Sequence, residues 1–334
     1  MSAAGGVRVA APCRADLAGG TLDIWPLGLL HPGAVTVNMA LSAEVVLEAD
    51  RAGERGVVEH VGPDGRRRLL GPEDAGSDLT ATVVFALVPD GGFRVRVAAQ
   101  VPVGSGLGGS SAYGIALTRA VGELVGSTLG DADAVALVRD LEARVLATPT
   151  GEQDHWAAVC GGVLAIHQRP GGSRVEPLEV EPGWLGARST VYFTGIRHHS
   201  GMVNWQVVRR RLDGDPDAVA HFEEIAVAAQ ACRQALVDGD EIAVAESLLR
   251  EWAARRRLAP EVSPPEVDRL VELATAAGAT AVKACGAGGG GSLLLWHPPA
   301  AGDGVVAALD RVAPEGRVLA RGASAEGCRL LGNP

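Results

Sequence analysis

"VPVGSGLGGSSAYG", residues 101–114, places five glycines and three serines in fourteen positions. It joins "FRVRVAAQVPV" (93–103), which alternates like a strand, to "SSAYGIALTRAVGELVG" (110–126), which has helical spacing. Glycine costs conformational entropy, so a cluster between two regular elements asks for positive φ or close backbone approach. A bound phosphate asks for both, because free N–H groups at a helix start form an anion site that only bare backbone can reach. Read literally, Gly104-Ser105-Gly106-Leu107-Gly108-Gly109 satisfies GxGxxG. A dinucleotide site also needs a second strand ending in an acidic residue about 20 positions on, and here two helices follow in succession. A Walker A loop needs Gly-Lys-Ser/Thr, which the loop lacks. A tight turn without a ligand remains open for the loop taken alone.

The 334 residues suggest two domains or one large one at roughly 100–200 residues per domain. With 47% hydrophobic but only 4% aromatic residues, the core must rest on aliphatic side chains and alanine. A net charge of −10 without a basic block excludes nucleic acid and an anionic membrane surface as obvious partners and favours small molecules. Lys283 is the single lysine, which reads as coding bias towards arginine. Cys13, Cys160, Cys232, Cys285 and Cys328 are scattered and form no CxxC pair, so neither a disulfide framework nor a zinc site is expected. The first residues, "MSAAGGVRVAAP", lack a signal-peptide pattern, and no apolar run reaches the ~18 residues of a membrane span. The expectation is a cytoplasmic protein, monomeric or homodimeric.

Along the chain, "VRVAA" (7–11) reads as a short strand entering the Gly-rich turn "APCRADLAGGTLDIWPLG", and residues 34–50 as a β-branched strand. Asp64-Gly65 is a hairpin signal. "LTATVVFALV" (79–88) fits either a helix or a buried strand. Ser110 or Ser111 is placed near the N-cap of the helix after the loop, and Asp131 or Asp133 caps the helix over 131–147. Beyond residue 170 the stretch "RPGGSRVEPLEVEPGW" marks a change of layer or domain. Strand and helix signals then alternate to "RVLARG" (317–322), with a second glycine loop, "GAGGGGS", between two strands.

Three segments, "APCRADLAGGTLD" (11–23), "PVGSGLGGSSA" (102–112) and "KACGAGGGGSLLLW" (283–296), together resemble the three ordered motifs of the GHMP small-molecule kinases. The likeness spans nearly the whole chain and is nearest the sugar-kinase branch. The middle segment is similar to that family's P-x-x-x-G-L-G-S-S-A-A loop, with Gly109 in the first serine position, Ser110 in the second and Ser111 in an alanine position.

The resemblance implies ATP and Mg²⁺ as cofactors. Pro102, Gly104, Ser105, Gly106, Leu107, Gly108, Gly109, Ser110 and Ser111 would wrap the phosphates, braced by Gly288 and Gly289 of the third motif. Magnesium takes hard oxygen ligands. Strict register makes Ser110 the metal-facing serine, with Ser111 as the alternative, and Glu142 matches the family's metal-binding glutamate by its spacing to Pro149. "GEQDHWAA" (151–158) is similar to the G-K-Q-D-Q segment of heptose kinases, which puts Asp154 in the position of the catalytic carboxylate and Arg14 beside it. A helix cap is the competing reading of Asp154, and a solvated surface residue that of Glu142. Thr21, Asp23, Gln153 and Gly195, with Arg197, His198 and His199 of "TGIRHHS", would meet the acceptor, those last three through a phosphate already on it.

The expected fold is α+β in two domains: residues 1–170, like ribosomal protein S5 domain 2, and a ferredoxin-like residues 171–334. The expected activity is ATP-dependent phosphorylation of a sugar, sugar phosphate or cyclitol at an anomeric or equivalent hydroxyl. A catalytically inactive sensor on the same fold and an NAD-dependent oxidoreductase are the rival classes.

Overall fold

A computed structural model describes residues 5–51, 53–99, 101–196 and 201–332, without the side chains of 201–204. Among them the strands are β1 (Val7–Ala18), β2 (Val35–Asp50), β3 (Val58–Val61), β4 (Arg67–Leu70), β5 (Phe93–Ala99), β6 (Val163–His167), β7 (Arg174–Leu178), β8 (Ser189–Phe193), β9 (Ala281–Ala284), β10 (Ser292–Trp296), β11 (Arg317–Arg321) and β12 (Arg329–Leu331). The helices are α1 (Leu79–Leu87), α2 (Gly109–Val125), α3 (Asp131–Leu146), α4 (Gln153–Cys160), α5 (Pro182–Gly186), α6 (Gly201–Leu212), α7 (Pro216–Asp238), α8 (Glu241–Arg256), α9 (Pro265–Ala276) and α10 (Gly302–Asp310). An eight-stranded sheet runs β12-β1-β2-β5-β3-β4, with β6 on the far part of β2 and β7 beyond it. A second sheet of four antiparallel strands runs β11-β8-β10-β9. The first sheet thus takes in strands 174–178 and 329–331 from beyond residue 170.

Strand β1 does not stop at residue 11 but continues to Ala18. Pro12 and the polar residues after it suggest a turn, yet its pairing with β2 shifts register between Pro12 and Arg14 and again between Asp16 and Ala18. Bulges are where a sheet accommodates proline and re-aims side chains. The first bulge turns the Arg14 N–H out of the ladder to the carbonyl of Leu107, 2.9 Å away, and so stitches β1 to the glycine loop.

The ambiguous stretch 79–88 is helical because Asp78 caps it, accepting from the N–H groups of Thr80 and Ala81. The helix after the glycine loop is capped by Gly108 in the left-handed conformation (φ 69°), not by a serine, so Ser110 and Ser111 fall in its first turn. Gly130 takes the cap of α3, which moves Asp131 and Asp133 into the first turn, where their charge favours the helix dipole. Helices α2 and α3 follow without a strand between them, which removes the βαβ unit that a dinucleotide site requires.

Buried aliphatic residues fill the space between the first sheet and α2, including Leu47, Leu117 and Val138. Each such side chain contributes about 1.5–3 kcal/mol. A second cluster, with Phe222, Trp252, Leu293 and Leu295, packs helices on the four-stranded sheet. Gly114 matters for the site: a Cβ there would stand 2.4 Å from Val138 Cγ1, so glycine lets α3 approach α2 closely. Glu142 lies one helical turn beyond Val138 and Ser111 one turn before Gly114, which brings the two onto facing surfaces.

Candidate active site

The end of β1, the glycine loop, the start of α2, the last turn of α3 and the segment leading into α4 enclose a cleft of about 410 Å³. Its walls include Arg14, Thr21, Asp23, Pro102, Gly104, Ser105, Gly106, Leu107, Gly108, Gly109, Ser110, Ser111, Glu142, Gln153 and Asp154. No side chain caps the N-terminus of α2, so the first-turn N–H groups of Gly109, Ser110 and Ser111 carry no side-chain partner at the cleft wall. Gly104, Gly106 and Gly108 all have positive φ (76°, 73° and 69°). The donor set and bare backbone fit a polyphosphate.

Arg14 is buried at the floor of this loop. Its Nε donates to Asp154 Oδ1 at 2.7 Å and one terminal nitrogen donates to the Gly106 carbonyl at 2.6 Å. Burial works against the guanidinium charge, but the carboxylates of Asp154 and Asp16 outweigh it and hold the pKa above its ordinary value. Asp154 sits in the first turn of α4, whose cap is Glu152 without a side-chain hydrogen bond, so the capping reading of Asp154 is not what the structure shows. A Cβ on Gly108 would stand 2.9 Å from Asp154 Oδ2, which means glycine at 108 is what lets the carboxylate reach the loop.

Glu142 is not a surface residue. It is 5% exposed, and its Oε2 accepts from the Ser111 hydroxyl at 2.7 Å and stands 3.0 Å from Nε2 of buried His155. Burial pushes the carboxyl up, but the His155 contact and then the Ser110 and Ser111 hydroxyls prevail, so its pKa lies below the ordinary value. Ser111 is buried while Ser110 is exposed in the cleft wall. The hard oxygens of Ser110 and Glu142 fit a divalent cation.

Beside the start of α4, Asp23 is 5% exposed and accepts from the Gln153 N–H at 2.9 Å through Oδ2. Burial raises its pKa to about 6 despite that bond. A Cβ on Gly151 would lie 2.0 Å from this carboxylate, so glycine clears its seat. Gln153 Oε1 is buried without a hydrogen-bond partner among the described residues, and Gln153 lines the cleft. An acceptor hydroxyl would satisfy it.

The second glycine loop behaves differently from the expectation for two of its residues. Gly288 and Gly289 are not brought to the cleft: a Cβ on Gly288 would meet the Val262 carbonyl at 2.4 Å, and the Gly289 N–H donates to the same carbonyl at 2.7 Å. Gly286 and Ala287 line the cleft instead. A Cβ on Gly106 would be 2.8 Å from the Cys285 carbonyl, and one on Gly286 2.8 Å from the Gly106 carbonyl, so each loop is bare where the other passes. Gly195 (φ 83°) packs against Glu315 and not on the cleft wall, while Arg197, His198 and His199 lie outside the described residues.

Sequence reasoning missed His155 and the role of Lys283. Lys283 is fully buried, with Nζ 2.9 Å from Asp16 Oδ2 and 3.0 Å from Glu251 Oε2. A lone lysine inside an apolar strand, "AVKA", is the one signal that pointed there, since a buried ammonium requires partners.

Family models match both halves of this arrangement: the GHMP kinases N-terminal domain over residues 78–162 and the GHMP kinases C-terminal domain over residues 230–315. The chain is 26% identical over 314 residues to the D-glycero-alpha-D-manno-heptose 7-phosphate kinase of Campylobacter jejuni, covering 88% of this chain and 90% of that protein. It is also 26% identical over 321 residues to the bifunctional fucokinase/GDP-fucose pyrophosphorylase of Arabidopsis thaliana, covering 86% of this chain and 29% of that longer protein. Among solved structures, a D-glycero-D-manno-heptose 1-phosphate kinase from Bacteroides thetaiotaomicron superposes with TM-score 0.77 at 23% identity, covering 98% of this chain and 99% of that one. Lactococcus lactis galactokinase complexed with galactose superposes with TM-score 0.78 at 16% identity, covering 96% and 95%. With its two-domain fold of mixed helices and sheets, the chain belongs to the GHMP kinases.

Proposed function

We propose that the protein transfers the γ-phosphoryl group of ATP to a hydroxyl of a sugar or sugar phosphate. The observation that carries this reading is the meeting of the Arg14–Asp154 pair with the glycine loop in one cleft, through the Arg14 bond to Gly106 and the contact of Asp154 with Gly108. Phosphoryl transfer needs positioning and neutralisation more than covalent participation by the protein. The first-turn N–H groups of α2 bind phosphate oxygens. Asp154 orients the acceptor hydroxyl and takes its proton as the new O–P bond forms and ADP departs. Arg14 keeps Asp154 ionised and offers positive charge to the transferring group. Ser110 and Glu142 would hold a magnesium ion, with Ser111 and His155 fixing the Glu142 carboxylate. That ion, when bound, supplies charge neutralisation at the phosphate oxygens.

Asp23, Gln153 and Thr21 bind the acceptor. A buried carboxylate beside an unpartnered amide oxygen suits a polyol, whose hydroxyls satisfy both. The heptose phosphate, fucose and galactose relatives support a hexose, heptose or phosphate of either, phosphorylated at an anomeric or equivalent position. We also place the domain division after β7, because β6 and β7 form a hairpin within the first sheet and only β12 returns to it from later in the chain, and the protein in the cytoplasm, a reducing setting that suits its five free cysteines. No helix among the described residues is long and apolar enough to cross a membrane. A coupled ADP-release screen over free hexoses, 6-deoxyhexoses, heptose phosphates and cyclitols tests the assignment: acceptor-dependent ADP is expected for a sugar. Equal rates with and without every acceptor would refute it.

A further inference from the structure

We infer that Arg255, which forms no part of the cleft wall, is a positioning residue for the acceptor side of the site. It rests on the kinase reading only for what the cleft binds. Thr21 lines the cleft with φ 74°, a left-handed conformation that β-branched residues rarely adopt. Such a conformation persists only where its surroundings over-determine it. Arg255, on α8 and 2% exposed, supplies that restraint: one terminal nitrogen donates to the Gly20 carbonyl at 2.8 Å and the other to the Thr21 hydroxyl at 3.1 Å.

The guanidinium is itself anchored. Its Nε donates to Glu251 Oε1 at 2.8 Å, Glu251 Oε2 stands 3.0 Å from Lys283 Nζ, and Lys283 donates to Asp16 Oδ2 at 2.9 Å. Asp16 Oδ1 ends the chain by accepting the Gly286 N–H at 2.6 Å, where the second glycine loop braces the first. Two carboxylates and two cations therefore run, fully or almost fully buried, from the nucleotide side to the acceptor side. Apolar residues would fill this space at less desolvation cost, so four paired charges point to a geometric task. Burial works against the charge of Arg255, and Glu251 followed by Asp16 overcomes it, keeping the guanidinium protonated. The task needs arginine: a planar fork reaches a carboxylate and two further acceptors at fixed angles, and a lysine ammonium in the same place cannot span all three.

Amide hydrogen exchange with the non-hydrolysable analogue AMP-PNP as nucleotide probe tests this on the full chain. Arg255→Lys keeps the buried charge count. It should speed exchange across residues 20–23 by about tenfold or more, while exchange across 286–291 and the AMP-PNP Kd change less than about threefold. If Arg255→Lys does not fold, Thr21→Val removes the hydroxyl hydrogen bond while keeping β-branching and the buried charges, and should speed the same amides alone. With L-fucose or heptose 7-phosphate, whichever is turned over, the acceptor KM should rise in Arg255→Lys while the ATP KM holds. Unchanged exchange at 20–23, or equal acceleration at 286–291 with a matching rise in the AMP-PNP Kd, overturns the inference and leaves Arg255 a general packing residue. Failure of every sugar to react would count against the kinase reading, and the exchange result would still decide the role of Arg255.

Discussion

The two glycine-rich loops have almost the same composition and mostly different duties, meeting where Gly106 passes Gly286 at the edge of the cleft. In residues 104–109 the glycines open backbone to a cleft and give Asp154 room to reach it. In residues 286–291 they are bare because other main chain runs past: Gly286 against Gly106, Gly288 against Val262, and Gly291 against Ser105, whose carbonyl a Cβ would approach to 2.7 Å. Glycine content marks crowding of backbone, and only the identity of the crowding partner separates a ligand site from a brace.

If the first loop is the working face, the group seated on it carries the largest effect. Asp154→Asn should lower kcat by about 10²–10⁴ and leave AMP-PNP binding near wild type, because the amide keeps the shape and loses the proton acceptor. Steady-state kinetics with calorimetry of AMP-PNP checks this, and near wild-type turnover would leave Asp154 a positioning role at most.

Asp23 should separate function from stability. Its ordinary pKa of 3.8 rises to about 6 in the fold because burial disfavours the charge. Between those values the folded state holds a proton that the unfolded chain has lost, so stability falls as pH rises from about 4 to about 6. The ionised carboxylate then costs roughly 3 kcal/mol at pH 7. Asp23→Asn should regain much of that and flatten the pH dependence of denaturant unfolding over this window, while acceptor KM rises. A variant less stable than wild type at pH 7 would contradict the reading.

The brace and the cradle part company under alanine. Gly106→Ala and Gly288→Ala each force a side chain into left-handed backbone, which costs about 1–3 kcal/mol of stability, and each adds a clash with a main-chain carbonyl, at 2.8 Å for Gly106 and 2.4 Å for Gly288. Only Gly106→Ala should also weaken AMP-PNP, since Gly288 faces Val262. Equal loss of affinity in both would erase the distinction between the loops. Smallest in its effect on activity is Ser111→Ala, which removes a hydrogen bond to the Glu142 carboxylate worth about 1.5–3 kcal/mol of stability. It should raise the Mg²⁺ concentration for half-maximal activity less than Ser110→Ala or Glu142→Gln. A larger effect at Ser111 would shift the metal-facing register by one residue.

Much of this site was legible because its parts are local. The glycine loop stands out by its own composition, whereas Arg14, Asp154 and Glu142 stand out only through the resemblance of their short segments to the GHMP motifs; the fold brings all of them to one cleft. Other features depend on distance in the fold. The partners Asp16 and Lys283 are 267 positions apart, and nothing around either residue names the other. The continuation of β1 past Pro12 was hidden by turn-like composition, since bulges leave no local signature that differs from a turn. The serines next to the loop read as caps by propensity, yet a left-handed glycine took that place, and the serines became available to the cleft. Tertiary demand overrode local preference at the positions that line the site.

The most direct measurement is ³¹P NMR of the protein with ATP, Mg²⁺ and each sugar that supports ADP release. The account predicts that γ-phosphate intensity moves one-for-one into a sugar phosphate resonance, and that Asp154→Asn, which in a separate titration still binds AMP-PNP, forms that product from ATP about 10²–10⁴ times more slowly. Transfer to inorganic phosphate in place of sugar, or wild-type product formation by Asp154→Asn, would contradict it.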